Sequence, residues 1–529
     1  MIHNEARAPR TGQRRLNVGF VALTAAIGGL LLGFDATVIS GVVPFIREYF
    51  ALSGAGGELR LGWAVSSLGW GALVGNATAG VLSDRLGRRK VLLFAAALFV
   101  VSATLASLAT TLAAFVTARI VGGLAVGAAI LIAPVYIAEI APAQRRGGLV
   151  SLNQLMIVTG ISASFFSNYF LLDVGEHNWR WMLGVQVFPA LLYLLLLSFI
   201  PESPRWLLIK GRDQAALEVL MRTAGDAQAQ ASLQQIRQSL AERSVSHGWR
   251  ALFDRRIRLV MLIALGLAFF QQITGINAIF YYLPTIFAQA GGGVSDAFRQ
   301  AVIVGLVNVV MTVVAIWLID RLGRKPLLAI GVAGMAVSLL TIAWAFSQAS
   351  YRLDERALTM AQSNGVPAEL IVELRAAGET SYTSEAELMT ALASRHGAPR
   401  IEPHRQALVG AALTMNARLV LIAIIGFVAS FAISLGPVMW VLLSEIFPNE
   451  YRGVAISVAG FWNALVSASV TFVFPWELSK LGSAGTFLVY GLFASAALLF
   501  VLVFVRETKG RTLEELEGEL LSRPKSTTA

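Results

Sequence analysis

The sequence predicts an all-α membrane protein with twelve transmembrane helices in two six-helix repeats. Only 14% of its 529 residues are charged and 56% are hydrophobic, with a mean hydropathy of +0.67, whereas soluble domains carry about 25% charged residues. The apolar residues form blocks of about 20, the length of helix that crosses a hydrocarbon core about 30 Å thick. Charged loop motifs recur in the two halves of the chain. These observations exclude a soluble enzyme, a disordered chain and a coiled coil.

The apolar blocks define the spans in chain order. They lie roughly at residues 17–43, 61–83, 91–109, 111–138, 149–171, 182–200, 258–289, 301–319, 327–347, 418–446, 453–475 and 485–505. Basic residues concentrate in the N-terminal arm and in loops 84–90 and 321–325, and such an excess marks cytoplasmic loops. We therefore expect a multi-pass protein of the inner or plasma membrane, with both termini in the cytoplasm and the first span retained rather than cleaved.

The spans also predict the domain organisation. Residues 1–200 form an N-terminal six-helix bundle, and residues 258–523 form a C-terminal six-helix bundle. Residues 201–257 join them as a cytoplasmic helical linker, and residues 348–417 are an extracytoplasmic insertion into the second bundle. Within this insertion, the capping-box pattern Ser384-Glu385-Ala386-Glu387 predicts short helices.

An internal repeat relates the two halves. DRLGRRK at 84–90 recurs as DRLGRKP at 320–326, an offset of 236 residues. Glu139-Ile-Ala-Pro recurs as Glu445-Ile-Phe-Pro, an offset of 306 residues, and the difference equals the length of the insertion. Two six-span halves with duplicated loops are typical of a transporter whose site lies between its repeats.

Several further motifs identify a family resemblance. They are GFDATVISG (33–41), DRLGRRK (84–90), ARIVGG (118–123), PESPRW (201–206), QQITGIN (271–277), DRLGRKP (320–326), GPVMWVLLSEIFP (436–448) and RETKGRTLEE (506–515). Together they resemble the sugar porter branch of the major facilitator superfamily, and in particular bacterial sugar/proton symporters. The resemblance implies the major facilitator fold and sugar transport by alternating access.

Asp35 is the first candidate for a coupling site. It lies about 12 Å inside the first span, and Arg119 lies at a similar depth in the fourth span, so we expect the two to pair. The arginine favours the ionised form of the carboxyl group and burial favours the protonated form. This balance suits reversible protonation. The resemblance favours coupling, because symporters of this branch carry Asp here and facilitators tend to carry Asn. The alternative is a fixed structural ion pair.

The seventh span supplies most of the candidate sugar site. Gln271, Gln272 and Asn277 interrupt an otherwise apolar stretch, and amides offer uncharged donors and acceptors for sugar hydroxyls. Gln271 and Asn277 lie on different faces of a regular helix, so Gly275 is expected to break it. Tyr281 extends the polar strip, together with the neighbouring Tyr282. The alternative is that these amides only bond helices together.

Three other spans complete the predicted pocket. The resemblance assigns sugar binding to Gln154, beside Asn153 in span 5. In span 10, Gly436-Pro437 predicts a break, and Trp440 one turn later offers an aromatic face for a sugar ring. Span 11 has Phe461 and Trp462 where the family commonly has an amide, so that side of the pocket is expected to be more apolar.

Charged residues in the duplicated loops predict a cytoplasmic gate that bridges the two halves in the outward-facing state. The gate residues are Asp84, Arg85, Arg88, Glu139, Arg146, Glu202, Asp320, Arg321, Arg324, Glu445, Arg452 and Glu507. Exposed ion pairs contribute about 0–1 kcal/mol each, so a network biases an equilibrium without locking it. The alternative is that these charges only orient the protein in the membrane.

The residue types present exclude several other chemistries. The chain has no cysteine, and its five histidines lie outside the spans, so neither a thiolate metal site nor a histidine cluster is expected. The sequence contains no pattern of an enzyme nucleophile with its base. We expect no enzyme activity, no metal and no cofactor other than the coupling ion H⁺. The expected partners are a small sugar or polyol and the lipid bilayer, without nucleic acid, and the expected state is a monomer.

The sequence therefore predicts a proton-coupled symporter that imports a hexose, pentose or inositol. Two alternatives remain open. A facilitative uniporter would use the same pocket without the proton, and a non-transporting sugar sensor would bind sugar without moving it.

Overall fold

The computed structural model describes most of the chain. The described residues are 16–52, 54, 56–142, 145–241, 257–291, 293–376, 378–382, 385–447 and 451–509. All statements about the structure refer to these residues.

The first half consists of long helices joined by short turns, with the sixth span split in two. Its helices are α1 (Val18–Tyr49), α2 (Gly57–Leu86), α3 (Arg88–Leu108), α4 (Leu112–Ile140), α5 (Arg146–Phe170), α6 (Asn178–Gly184) and α7 (Val187–Leu197). Three shorter helices follow in the linker: α8 (Pro204–Ile209), α9 (Asp213–Ala224) and α10 (Asp226–Ala241). The predicted linker helices thus form in its described part.

The second half repeats this arrangement, with two of its spans broken. Its membrane helices are α11 (Arg258–Ile273), α12 (Ile276–Gln289), α13 (Val294–Leu322), α14 (Arg324–Ser347), α20 (Ala417–Ile433), α21 (Leu435–Ile446) and α22 (Arg452–Phe504). The remaining helices, α15 to α19, lie in the insertion between α14 and α20.

Ten segments of the described chain are long and apolar enough to cross a membrane. Helix α2 is a further long helix of 30 residues. The last of the ten segments contains two spans, because Gly482 interrupts the 53-residue α22 with a φ of +67°. With these two additions the helices account for the twelve predicted spans.

The two breaks differ in backbone conformation and in how well the sequence located them. Gly275 separates α11 from α12 in the left-handed conformation, with a φ of +86°, so the predicted break in the seventh span is confirmed. The break in the tenth span lies at Ser434 (φ −124°, ψ −99°), not at the predicted Gly436-Pro437. Pro437 lies instead in the first turn of α21, where its missing N–H costs no helical hydrogen bond.

The insertion folds around a core of its own. It contains α15 (Glu355–Ser363), α16 (Ala368–Ala376), α17 (Glu385–His396), α18 (Ala398–Ile401), a 3-10 turn (Glu402–His404) and α19 (Arg405–Ala412), with strands β1 (Ser350–Leu353), β2 (Thr380–Tyr382) and β3 (Leu413–Thr414). The strands form an antiparallel sheet in the order β2-β1-β3. The helices agree with the prediction, although Ser384 of the capping box lies outside the described residues. The sheet was not predicted.

Glycines bring the two halves together near the insertion. We call the end of the bundle that carries residues 350–414 the insertion end, and the end that carries Gly87 and Gly323 the motif end. A Cβ at Gly62 of α2 would lie 1.9 Å from the Phe472 carbonyl oxygen of α22. A Cβ at Gly305 of α13 would lie 2.8 Å from the Phe165 ring of α5. At Gly62 the two backbones touch, and at Gly305 the backbone touches an aromatic ring, so the halves pack closely nearer the insertion end.

Candidate functional site

Asp35 of α1 and Arg119 of α4 form a buried ion pair. Their exposed fractions are 2% and 1%. The Arg119 Nη1 atom donates to the Asp35 Oδ1 atom at 2.5 Å and to the Asp35 backbone oxygen at 3.0 Å. A buried charge without a partner is strongly destabilising, so each residue supplies the counter-charge that the other requires. The pairing that we predicted from depth is therefore present.

Gly122 shapes the space beside this pair. It lies about one turn beyond Arg119, and a Cβ there would lie 2.9 Å from the Asp35 Oδ2 atom and 2.4 Å from the Ser102 hydroxyl of α3. The Ser102 hydroxyl donates to the Ala118 carbonyl oxygen at 2.8 Å. Glycine at position 122 thus leaves the second carboxylate oxygen uncovered inside the first half.

The amides of the second half form one hydrogen-bonded network. The Gln271 amide donates to the Leu435 carbonyl oxygen at 2.7 Å, at the start of α21. Gln272 donates to the side-chain oxygen of Gln271 at 3.2 Å. Asn277 donates to Gln272 at 2.8 Å and to the Ser467 hydroxyl at 2.7 Å. The Gly275 break therefore lets residues from α11 and α12 meet, as predicted.

Asn463 of α22 also belongs to the amide network, which was not predicted. It donates to the Gln271 side chain at 2.8 Å and to the Ala268 carbonyl oxygen at 2.9 Å, and it accepts from Gln272 at 3.1 Å. Phe461 is 48% exposed and Asn463 is 7% exposed, because two residues turn a helix by about 200°. Span 11 thus supplies an amide to the network two residues after Phe461, and a more apolar side of the pocket at Phe461 and Trp462 stays a prediction. The signal for this amide was an isolated asparagine in an apolar run.

The remaining predicted sugar residues lie apart from the network. Gln154 of α5 is half-buried and makes no side-chain hydrogen bond to the described part of the chain. Tyr281 is also half-buried, within electrostatic range of Asp35 and Arg119. Trp440 is 39% exposed and lies against Gly460 of α22, 3.6 Å from the position of a Cβ. The structure therefore joins three of the six predicted residues by direct hydrogen bonds.

At the motif end of the first half, charged residues tie three segments together. Arg88 pairs with Asp84 at 3.0 Å and with Glu139 at 3.0 Å. Glu202 accepts from the backbone N–H groups of Arg88 and Arg89 at 2.9 and 3.1 Å. This carboxylate therefore caps the N-terminus of α3, where backbone N–H groups lack helical partners.

The second half repeats the same arrangement. Arg324 pairs with Glu445 at 2.7 Å, and Glu507 accepts from the backbone N–H groups of Arg324 and Lys325 at 2.9 and 3.0 Å. Burial raises the pKa of Glu507, but these two N–H groups and those of Thr508 and Lys509 lower it more, so its pKa lies below the ordinary glutamate value.

Five of the predicted gate residues form ion pairs, and each pair lies within one half: Arg88 with Asp84 and Glu139, and Arg324 with Glu445. Among the residues that the structure describes, no ion pair joins the two halves at the motif end. Arg452 donates to the Phe447 carbonyl oxygen at 3.1 Å, and Arg321 lies over the Trp317 ring at 3.9 Å. Arg85 and Arg146 are exposed, and the side chain of Asp320 lies outside the described set. A gate that bridges the halves stays a prediction.

Comparison with known proteins agrees with this architecture. A family model described as "Sugar (and other) transporter" matches residues 21–361 and 405–520. The D-xylose-proton symporter of Escherichia coli (strain K12) is 34% identical over 532 residues, with 94% of each chain covered. The arabinose-proton symporter of Bacillus subtilis (strain 168) is 34% identical over 513 residues, covering 95% of this chain and 96% of the relative.

A solved structure extends the agreement to three dimensions. The inward open conformation of the xylose transporter XylE from E. coli matches with a TM-score of 0.74 and 32% identity, covering 95% of this chain and 100% of that chain. A structure described as the major facilitator superfamily proton:xylose symporter XylE bound to 6-bromo-6-deoxy-D-glucose matches with a TM-score of 0.70. The chain therefore belongs to the sugar transporter family and has the major facilitator fold, as its motifs predicted.

Proposed function

We propose that this protein is a symporter that imports a monosaccharide together with a proton. The observation that carries the proposal is the separation of two kinds of site within one sugar transporter fold. A buried carboxylate with a fixed counter-charge lies in the first half, and a neutral amide network lies in the second half. Relatives named as D-xylose-proton and arabinose-proton symporters support proton coupling.

Asp35 is the proton carrier in this proposal. Arg119 stays protonated, so the charge of the pair changes only when Asp35 gains or loses a proton. When Asp35 is ionised, the Arg119 Nη1 bond holds α1 to α4. When Asp35 is protonated, this attraction weakens and the helices of the first half are freer to move.

The amide network holds the sugar. Gln271, Gln272 and Asn277 bond to each other or to neighbouring helices, and sugar hydroxyls are donors and acceptors that replace such bonds one for one. Gln154, Tyr281 and Trp440 complete the site from the other spans. Sugar binding would then draw α12 toward the first half, with Gly275 as the hinge.

Alternating access follows from the two ends of the bundle. The halves touch nearer the insertion end, which we assign to the outside, and the motif end with both termini lies in the cytoplasm. Outward opening would separate the glycine contacts and bring the motif-end charges of the two halves together. The division into bundles at residues 1–200 and 258–523 belongs to the same proposal.

A pentose or a hexose is the proposed substrate. The relatives include a D-xylose transporter of Levilactobacillus brevis, 34% identical over 512 residues, and the glucose transporter GlcP of Staphylococcus epidermidis, 32% identical over 512 residues. A neutral amide network suits either ring, since it recognises hydroxyl groups rather than a charge.

Uptake into liposomes that contain only this protein tests the proposal. Labelled xylose, arabinose, glucose and inositol are offered with and without an inward proton gradient, to the wild type and to Asp35→Asn. We expect gradient-driven accumulation by the wild type and only downhill exchange by the variant. Asp213→Asn is the matched control, because it also removes an acid paired with an arginine, at 2.7 Å in the exposed linker, and it should accumulate sugar like the wild type.

The alternatives give different outcomes. A uniporter would equilibrate sugar without accumulation, and Asp35→Asn would leave its rate unchanged. A sugar sensor would bind sugar but take none into the liposomes. Either result contradicts the proposed symport.

A further inference from the structure

Gln186 is a buried amide that the proposed mechanism leaves without a role. It lies at the turn between α6 and α7, where the sixth span is interrupted, and it is 1% exposed. Its Nε2 atom has no hydrogen-bond acceptor among the described residues. Buried amide groups nearly always have a partner, so an unpaired one deep in a transporter indicates a function.

The partner that lies next to Gln186 is Asp35. Helix α1, which carries Asp35, packs against both α6 and α7, and the Gln186 side chain interacts with the Asp35 carboxylate. The Asp35 Oδ2 atom, like the Gln186 Nε2 atom, has no hydrogen-bond partner within the described chain. Arg119 occupies only the Oδ1 atom. The carboxylate thus keeps one buried oxygen without a partner, and the neighbouring amide keeps one buried nitrogen without a partner.

The other groups around Asp35 cannot replace the amide. Among the residues that the structure describes, Arg119 from α4 pairs with Asp35 and Tyr281 from α12 is a titratable group within electrostatic range. An arginine only donates hydrogen bonds, so it offers nothing to a protonated Oδ2. Ser102 from α3 already donates its hydrogen to the Ala118 carbonyl oxygen, so it offers nothing to an ionised Oδ2. An amide serves both states, because it carries a donor and an acceptor without charge.

We propose that Gln186 is a positioning residue for proton coupling, which holds the Asp35 Oδ2 atom in both of its protonation states. Its Nε2 atom donates to the ionised carboxylate, and its Oε1 atom accepts from the protonated one after the amide turns over. The proton enters and leaves on Oδ2, and no other bond is made or broken. Because Gln186 is neutral, the site binds one proton for each Asp35. This inference rests on the proposed proton symport.

The test compares the pH profile of uptake with an exchange that needs no gradient. Gln186→Met removes the hydrogen bonds and keeps the length of the side chain. We expect sugar counterflow at saturating sugar to stay within about twofold of the wild type. Hydrogen bonds to an ionised group are stronger than those to a neutral group, so the substitution removes more stabilisation from the ionised carboxylate than from the protonated one. The midpoint of proton-driven uptake should therefore move about one unit to higher pH. Gln186→Asn, which keeps the amide, should move it less.

Two results would overturn the inference. One is a Gln186→Met profile that coincides with the wild type at equal thermal stability, and the other is a parallel loss of counterflow and driven uptake, which indicates a merely structural role. If Gln186→Met does not fold, Gln186→Glu decides, because a second carboxyl group should add a second step to the pH profile, and a single unshifted step contradicts the inference. Absence of any proton dependence in the wild type would instead contradict the symport itself.

Discussion

The two halves of this protein have the same architecture at the motif end and different chemistry inside the membrane. At the motif end, Glu202 caps α3 and Glu507 caps α14 through the same pair of backbone bonds. Inside the membrane, the first half buries the charges of Asp35 and Arg119, whereas the second half buries neutral amides. The duplicated loops have kept their contacts while the interiors have diverged.

In the proposed symport, this difference would separate the sites of the two ligands. A proton needs a group that changes charge. A sugar needs groups that stay neutral, since a buried charge would attract the surrounding polar groups to itself. Tyr281 lies in the second half but within electrostatic range of Asp35 and Arg119. If Tyr281 binds sugar as proposed, it brings one residue of the sugar site close to the coupling pair.

Removal of Arg119 should have the largest effect. Arg119→Leu leaves Asp35 buried without a counter-charge, at a cost of about 3–5 kcal/mol unless the carboxyl stays protonated. We expect loss of proton-driven accumulation together with a lower thermal unfolding temperature. The double variant Asp35→Asn, Arg119→Leu should regain thermal stability without accumulation. A single variant as stable as the wild type would show that the pair is not needed for the fold.

Removal of the Gln271 amide should weaken sugar binding and leave proton coupling unchanged. Gln271→Leu deletes the bonds to Leu435, Gln272 and Asn463 and removes the amide offered to the sugar. Loss of two or three hydrogen bonds to the sugar at about 1 kcal/mol each would lower its affinity about 30- to 150-fold. Titration calorimetry measures the affinity, and the pH midpoint of uptake should not move. Gln289→Leu is the control, because Gln289 lies at the exposed end of α12 and bonds only to Ser483 among the described residues. A shifted pH midpoint would contradict the separation of the two sites.

Substitution of the hinge glycine should have an intermediate effect. Gly275→Ala places a Cβ 2.5 Å from the Tyr490 ring at a φ of +86°, and that backbone conformation alone costs an alanine about 1–2 kcal/mol. We expect the transport rate to fall about tenfold. Gly291→Ala carries the same strain at a φ of +88°, but its nearest neighbour is 3.7 Å away, so the rate should stay near that of the wild type. Equal rates in both variants would exclude a special role for this break.

The smallest effect is expected at the motif end. The lowered pKa of Glu507 means that its carboxylate stabilises the fold above the ordinary glutamate value of 4.5 and that this stability is lost as the pH falls through the lowered value. Glu507→Gln should therefore reduce the unfolding temperature by a few degrees at pH 7, and the difference from the wild type should shrink as the pH falls below 4.5. The exposed Glu176→Gln is the control. A difference that persists at acidic pH would indicate a role other than the charge.

The elements that sequence predicted well are those whose signal is local. Span length follows from hydropathy, and the Asp35 pair follows from equal depth in two spans. The sheet of the insertion was missed because its strands have only two to four residues, without an alternating pattern. Asn463 and Gln186 were missed because their importance depends on which face of a helix packs against a neighbour, and a single sequence does not contain that information.

The carboxylate caps at Gly87 and Gly323 have a mechanical consequence. A Cβ at Gly87 would lie 2.3 Å from the Glu202 carboxylate, and one at Gly323 would lie 2.7 Å from that of Glu507. Each carboxylate thus fixes the segment after the last span of its half against a turn between two earlier helices. The close fit leaves no space for that segment to shift along the turn. Each bundle is therefore held together as a rigid body, and the large displacement of a transport cycle has to occur at the interface between the two bundles.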